Sequence, residues 1–388
     1  MNVAQRFSHI PSPAIRAMVE RSQQLEKSGI RVAHLEIGRP DFDTPEVIKA
    51  ATKAALDRGE VHYGPNAGLP ELRKAVAHYM SERRDVTWES DQVLITNGAI
   101  EALYLSLMTV LEPDDEVLIP EPCWTAYLGI VRLMNAVPRL VPLQANNGFD
   151  LDLVALRQAI TPRTKALLLN TPHNPTGVIL ERPSLEGIAE LAQEHDLLIV
   201  CDEIYDQICF DGQTPPTIAA LPGMQERVAL VCGFSKTYSM TGWRIGYVAL
   251  PHPLVRPALL AHANIMSSVN TFIQYGALAA LTGGGPAAAL MSAEYQKRRD
   301  EAVRLLQCMP DVFLTPGGGS FFLFPRFLKF RDDQQLAQRL LEEAHVATVP
   351  GSAFGPTGAG HLRLSVSCDL QSILEGLERM HQWLTARN

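Results

Sequence analysis

Between two apolar runs the chain carries the polar stretch Gly233-Phe234-Ser235-Lys236-Thr237-Tyr238-Ser239-Met240-Thr241-Gly242-Trp243-Arg244-Ile245-Gly246-Tyr247, which sets Lys236 and Arg244 eight residues apart. An amine in such a loop can act as a nucleophile or, when neutral, as a base, and a guanidinium can grip a phosphate or carboxylate through two parallel hydrogen bonds. Taken singly, each also reads as an ordinary surface cation. At Thr96-Asn97-Gly98-Ala99-Ile100-Glu101 the chain turns from a strand-like run into a helical one. The N–H groups of Gly98, Ala99 and Ile100, unpaired at a helix start, suit an anion, although many such turns bind nothing. Asp202 ends the apolar run Leu198-Ile199-Val200-Cys201. Alone it reads as a strand-end or capping carboxylate, Asn174 and Tyr205 as turn and packing residues, Trp124 as a core aromatic, and Arg363 as an arginine snorkelling from an exposed strand.

These side chains need a scaffold that brings distant loops together. Across residues 91–250, the segments 93–95, 117–119, 137–141, 165–170, 197–202, 228–232 and 245–250 read as strands, and 101–111, 125–134 and 185–193 as helices. Strands apolar on both faces and separated by helices imply a mainly parallel sheet covered on each side. Loops at strand ends are where such sheets keep their sites, and the Lys236 loop is expected at the sheet's edge. Outside this block, residues 45–58, 69–83, 286–307 and 371–385 read as helices, with short strands near Val312, Phe321 and Val346. The last helix repeats apolar residues at Ile373, Leu374, Leu377, Met380 and Leu384, close to a 3.6-residue period. The expectation is an α/β protein with a large domain over residues 46–285 and a smaller α+β domain built from both chain ends, residues 1–45 and 286–388.

The length of 388 residues allows two or three domains, and 46% hydrophobic with 20% charged residues are globular proportions that exclude dominant disorder. With 34 Lys+Arg against 42 Asp+Glu the formal charge is −8, and no basic stripe is present, so a small molecule is expected as partner rather than nucleic acid. Six widely spaced cysteines without a C-x-x-C pair fit neither a metal site nor a disulfide scaffold. Residues 1–20 lack a signal-peptide core, and the apolar runs are too short for a membrane, so a cytoplasmic chain is expected.

Together the polar segments resemble the fold-type I, class I aminotransferases, which depend on pyridoxal 5'-phosphate, and most nearly their bacterial aspartate/aromatic-like branch. The likeness runs from about Ser12 to the C-terminus. Lys236 and Arg244 match the two cations of the family's S-K-x-x-x-x-x-G-x-R-x-G-[YW] pattern, which implies that Lys236 forms a Schiff base with the cofactor and Arg244 binds its phosphate. Gly98, Ala99 and Ile100 would complete the phosphate cradle, with Ser235 beside them because Gly233 stands where some relatives have a phosphate-binding serine. Asn170-Thr171-Pro172-His173-Asn174-Pro175-Thr176-Gly177 resembles the N-P-x-N-P-T-G loop, placing Asn174 on the phenolic oxygen. Asp202-Glu203-Ile204-Tyr205 resembles D-E-x-Y, placing Asp202 on the pyridine nitrogen and Tyr205 on the phenolic oxygen. An ionised carboxylate there keeps the ring protonated and able to accept electrons.

Further segments extend the likeness. Pro120-Glu121-Pro122-Cys123-Trp124-Thr125-Ala126-Tyr127 resembles a turn whose aromatic residue, here Trp124, stacks on the ring. His361-Leu362-Arg363-Leu364-Ser365 resembles the strand whose arginine grips the substrate α-carboxylate, and Gly38 lies in a G-x-P-D-F-x-T-P segment set against the substrate. Tyr63 matches a tyrosine that reaches the phosphate of the neighbouring subunit, which implies a homodimer. The implied reaction is a two-stage amino transfer from an L-α-amino acid to a 2-oxo acid, with no metal. Ile100 stands where relatives selecting acidic substrates often carry a cation; with Ile15, Ile37 and Trp124 it suggests a neutral or aromatic donor. Relatives use the same apparatus for β-elimination, cyclisation or O₂-dependent oxidation, and a non-catalytic regulator is a remote alternative that the presence of Lys236 disfavours.

Overall fold

The computed structural model describes residues 1, 3–10 and 14–387, with the side chains of residues 9 and 14–16 left aside. After helix α1 (Ala14–Lys27) and strand β1 (Ala33–His34), helices α2 (Glu46–Asp57) and α3 (Pro70–Arg84) lead into an eight-stranded sheet. Its strands are β2 (Val93–Thr96), β3 (Glu116–Glu121), β4 (Val137–Gln144), β5 (Asp150–Leu151), β6 (Thr164–Asn170), β7 (Leu198–Asp202), β8 (Val228–Gly233) and β9 (Gly246–Ala249), in the order β2-β9-β8-β7-β6-β3-β4-β5. Strands β8, β7, β6, β3 and β4 are parallel. Strand β9 lies antiparallel between β2 and β8, and β5 closes the far edge antiparallel to β4. The Lys236 loop therefore joins the third strand to the second, not to an edge strand. A segment from far earlier in the chain, β2, pairs along β9 and takes the edge, a pairing that the local pattern around Lys236 could not reveal.

Crossovers through α4 (Ala99–Met108), α5 (Ala126–Leu133), α6 (Leu153–Ala159) and α7 (Arg182–Glu194) cover the sheet. Successive residues of the central strands feed opposite cores: Leu167, Leu169, Ile199, Cys201 and Leu230 go to one, and Ala166, Leu168, Leu198, Val200, Ala229 and Val231 to the other. Each buried Leu, Ile or Val contributes about 1.5–3 kcal/mol, and a one-residue slip would exchange the two faces, so the register is strongly held. Helix α8 (His252–Ile265) escapes sequence reading because Pro253 and Pro257 argue against a helix; Pro253 sits in the first turn, where a missing N–H is harmless, and Pro257 removes one ladder bond. Helix α9 (Thr271–Gly283), also unread, packs on α2, with Gly276 against Ile48 and Thr52.

Helix α10 (Gly285–Gln307) then leads to β10 (Val312–Phe313), β11 (Phe322–Leu323), β12 (Arg326–Phe327), α11 (Asp333–Glu343), β13 (Val346–Ala347), β14 (Val349–Pro350), β15 (Leu362–Ser365) and α12 (Leu370–Thr385). Strand β15 lies between β11 and β14. The α12 stripe of Ile373, Leu377, Met380 and Leu384 joins one apolar cluster with Ala33, Leu35 and Val346, so both ends of the chain share a core. No helix among the described residues is long and apolar enough to cross a membrane.

The two ends are also joined by β1, which pairs in parallel with β13. At its end His34 Nδ1 lies 2.8 Å from Oε1 of the fully buried Glu36, and Nε2 lies 3.1 Å from Glu26 Oε1. The Glu36 hydrogen bond, against the opposing effect of burial, holds His34 up at about 9 from its ordinary 6.5. Because the folded value is the higher one, protonated His34 stabilises the chain fully below about pH 6.5, and the contribution is lost as pH rises through about 9. Discounted for its partial exposure, it is worth about 1–2 kcal/mol. Urea unfolding of the wild type and His34→Gln should therefore show a stability gap at pH 6 that closes by pH 10; a gap unchanged across that range would mean that His34 carries no charge in the folded chain.

Candidate active site

At the carboxyl ends of β6, β7 and β8, beside the start of α4, lies a cavity of about 360 Å³. Lys236, Asp202, Tyr205, Asn174 and Ser235 line it from the strand ends. Ala99, Ile100, Trp124 and Arg244 line another wall, and Gly38, Phe322 and Arg363 come from the shared core of the chain ends. A separate space of about 20 Å³ behind Cys123 and His173 has room for little more than one water.

Lys236 donates from Nζ to the Gly38 carbonyl at 2.8 Å and lies 5.8 Å from the Phe321 ring centre. Burial, reinforced by the Arg363 and Arg244 guanidinium groups, brings its amine down to about 8. Its loop is strapped by residues 42–44: Ser239 Oγ donates to the Phe42 carbonyl, Thr44 Oγ1 donates to the Ser239 carbonyl at 2.7 Å, and Trp243 Nε1 donates to Thr44 Oγ1 at 3.0 Å.

Gly98 has φ +81, and a Cβ there would come 2.6 Å from Arg244 Nη2, so glycine is what lets the guanidinium lie against the turn. A Cβ on Gly246 would stand 2.7 Å from the Ala99 nitrogen, which shows how closely β9 approaches the start of α4. Free amides at a helix start beside a guanidinium make a fitting cradle for a phosphate. Gly98 thus supports the cradle from beneath without lining the cavity.

Asp202 is 3% exposed, accepts from Tyr127 Oη at 2.7 Å and from the Ile204 N–H at 3.1 Å, and burial pushes it up to about 6. Tyr127 stands edge-on to Trp124, with ring centres 5.3 Å apart. Sequence reasoning quoted Tyr127 within its motif and gave it no part; the aromatic at the motif's last position was the available signal. The neighbouring Glu203 is fully buried against Arg84, with 2.6 Å between Oε2 and Nη2. This pair ties α3 to the end of β7. No sequence signal separated Arg84 from an ordinary helix-end cation.

Asn170 bridges two site segments, with Nδ2 donating to the Asp202 carbonyl at 2.9 Å and Oδ1 accepting from the Asn174 N–H at 2.8 Å. Asn174 Oδ1 accepts from Arg363 Nη1 at 3.3 Å, and its side chain also hydrogen-bonds Tyr205. Arg363, 2% exposed, donates from Nη2 to the Glu36 carbonyl at 2.6 Å and lies against the Phe322 and Phe354 rings at 4.3 and 5.0 Å. Burial draws it down to about 10, and its Nε has no partner among the described residues. A buried guanidinium with a free donor beside a cavity suits a carboxylate.

Not every expected residue joins the cavity. Tyr63 is 91% exposed in the loop between α2 and α3, and Ile37 is partly buried outside the lining. The Ile15 side chain falls outside the described set.

Fold and cavity together define a fold-type I enzyme with its site at the carboxyl ends of a mixed, mainly parallel sheet. The profile of the family described as aminotransferase class I and II matches residues 30–380. The chain is 37% identical to a "Probable aspartate/prephenate aminotransferase" of Aquifex aeolicus over 98% of each protein. It is 38% identical to "Aromatic-amino-acid aminotransferase 2" of Thermococcus litoralis over 99% of this chain and 98% of the relative. The solved structure of an aspartate aminotransferase from Thermus thermophilus with maleate superposes with a TM-score of 0.93 at 33% identity, covering 98% of this chain and 99% of that one. The chain belongs to the class I and II aminotransferases, and it is a pyridoxal-phosphate-dependent aminotransferase (EC 2.6.1.-).

The Lys236 environment has a direct consequence. In the cofactor-free chain about a tenth of the amine should be neutral at pH 7, far more than for a surface lysine with an ordinary value near 10.4. Competitive acetylation followed residue by residue against pH should give Lys236 a midpoint near 8; a midpoint above 10 would show that burial and the two arginines do not act on it.

Proposed function

We propose that the chain transfers the amino group of a neutral or aromatic L-α-amino acid to a 2-oxo acid, with Lys236 as the reactive amine. The observation that carries this reading is that the depressed amine of Lys236 and the buried guanidinium of Arg363, whose Nε has no partner among the described residues, line one cavity. The residues fit pyridoxal phosphate: Lys236 would hold its carbonyl carbon, Arg244 with Ser235 and the Gly98, Ala99 and Ile100 turn its phosphate, Asp202 its ring nitrogen, Asn174 and Tyr205 its phenolic oxygen, and Trp124 its face. Bound there, the group supplies an electron sink for the pair left when a Cα–H bond breaks. Arg363 orients the α-carboxylate of the amino acid, with Asn174 fixing one edge of the guanidinium. Lys236, once neutral, takes the α-proton and returns it, at a value close to the working pH. Tyr127 keeps the Asp202 carboxylate directed by donating to Oδ2.

Among the lining residues the cations are Lys236, Arg244 and Arg363, which leaves none for a side-chain carboxylate near Ile100 and Trp124. The exposed Tyr63, with Val47 and Val61 also exposed nearby in sequence, supports a homodimer in which Tyr63 reaches the neighbouring site. Six free thiols support a reducing, cytoplasmic setting. We further propose the division into a large domain over residues 46–285 and a smaller one from residues 1–45 and 286–388.

Two measurements test this function. Lys236→Ala should lose about 10²–10⁴-fold in turnover, and Asp202→Asn on the order of 3 kcal/mol, a hundredfold or more; near wild-type rates in either would remove that residue from the chemistry. In half-reactions with phenylalanine, methionine, leucine, glutamate and aspartate, the neutral and aromatic donors should lead aspartate by about tenfold or more in kcat/KM, because a desolvated carboxylate lacks a partner. The product should be 2-oxo acid without ammonia or peroxide. Ammonia would point to elimination, peroxide to oxidation, and a preference for aspartate would overturn the reading of Ile100.

A further inference from the structure

Glu101 sits in the first turn of α4, one residue beyond the turn proposed to hold the cofactor phosphate. Its side chain folds back so that Oε2 accepts from the Asn97 N–H at 2.5 Å. The Gly98 N–H is taken by the Thr96 carbonyl at 2.8 Å, and Thr96 Oγ1 donates to the Gly98 carbonyl at 3.0 Å. No protein acceptor among the described residues takes the N–H groups of Ala99 and Ile100. Glu101 thus satisfies the donor just before the turn and leaves free the two amides that face an incoming anion.

The other carboxylate oxygen, Oε1, lies 3.0 Å from Nδ1 of His262 on α8, and with an ionised Glu101 the His262 Nδ1–H is the donor. His262 is fully buried, and its Nε2 has no partner among the described residues. Around the pair the contact between α4 and α8 is apolar, with Ala102, Leu105 and Ala258 fully buried. A buried imidazole with one unmatched nitrogen costs stability, and a carboxylate within a turn of a bound phosphate repels it. Packing alone would be served better by two apolar side chains. What the pair does provide is a fixed backbone at a place with no slack, since Gly98 already lies against the Arg244 guanidinium.

We propose that Glu101 and His262 are positioning residues for the phosphate turn: His262 directs the Glu101 carboxylate, and the carboxylate holds the Asn97 amide so that the Ala99 and Ile100 N–H groups converge on the phosphate. This rests on the placement of the phosphate at that turn. Neither residue lines the cavity.

Dissociation constants of pyridoxal phosphate and of pyridoxal, measured on cofactor-free protein by equilibrium dialysis, separate this role from general support of the fold. Glu101→Leu should weaken pyridoxal phosphate about tenfold or more, the scale of one charge-assisted hydrogen bond, and leave pyridoxal within about twofold. Glu101→Gln keeps an acceptor for Asn97 and a partner for His262, and should stay within about threefold of wild type for both. His262→Leu, with the carboxylate in place, should lose about threefold for pyridoxal phosphate only, and it carries the test if Glu101→Leu fails to fold. Unchanged phosphate affinity in Glu101→Leu and His262→Leu, or equal weakening of both ligands, overturns the proposal. Arg244→Gln is the control. If it lowers the preference for the phosphorylated ligand while Glu101→Leu does not, the pair alone is refuted; if it too leaves that preference intact, the phosphate is misplaced and the site reading fails with it.

Discussion

Three cations, Lys236, Arg244 and Arg363, line a cavity whose lining contains one carboxylate, Asp202. Like charges at close range in a poorly hydrated site each make it harder for the others to hold a proton. The effect is visible in Lys236, brought down to about 8 by burial first and then by Arg363 and Arg244, whereas Arg363 comes down to about 10 through burial, with Tyr205 and Glu36 opposing the shift. Under the proposed arrangement the imbalance is answered by the ligands, a phosphate at Arg244 and an α-carboxylate at Arg363. The site is therefore built around charge that its occupants bring with them, and the chain must hold mutually repelling groups in place until they arrive.

Holding them falls to buried hydrogen bonds between loops from different parts of the chain. The lysine loop is strapped by Thr44 and Phe42, Asp202 is held by Tyr127, and Asn170 couples the ends of β6 and β7. On the other side of Asp202 the Arg84–Glu203 pair pins the strand end to α3. Breaking one partner of such a buried pair leaves an uncompensated charge, at a cost of about 3–5 kcal/mol. None of these contacts lies within the chemistry, yet each reduces the freedom of a group that does. In a low dielectric the same bonds are stronger than they would be at the surface, which suits them to a site where misplacement is expensive.

The parallel sheet was legible because β6, β7 and β8 are apolar on both faces, a pattern that a half-exposed strand does not produce. The residues that line the cavity were legible where they fall in long motifs, as Lys236 and Arg244 do. What escaped was pairing over long sequence distance. Tyr127 and Asp202 are 75 residues apart, and Glu101 and His262 are 161 apart, so no local spacing links them. Strand β2 took the edge through a pairing with β9 that neither segment announces, and α8 was hidden by prolines that its first turn and one lost ladder bond accommodate. Tyr63 carries the clearest limit, since it is exposed in this chain and has a use at the site only under the proposed homodimer.

Selectivity under the proposed reading follows from the same charge arithmetic. Arg363 is committed to the α-carboxylate, Arg244 lies against the glycine turn, and Lys236 must be free to lose its proton, so a second carboxylate in the substrate would meet only Ile100, Trp124 and their neighbours. Leaving a charge desolvated costs several kcal/mol, whereas one methylene more or fewer in an apolar pocket changes binding by only about 1–3 kcal/mol. Discrimination between charged and uncharged donors must then be steeper than any among the uncharged ones. Ile100 is 41% exposed in this chain, so the wall nearest the donor side chain is open as well as apolar. An open apolar wall grades neutral side chains by the surface they bury rather than by fit, and burying more of an aromatic ring than of a short aliphatic chain favours the larger donor without excluding the smaller.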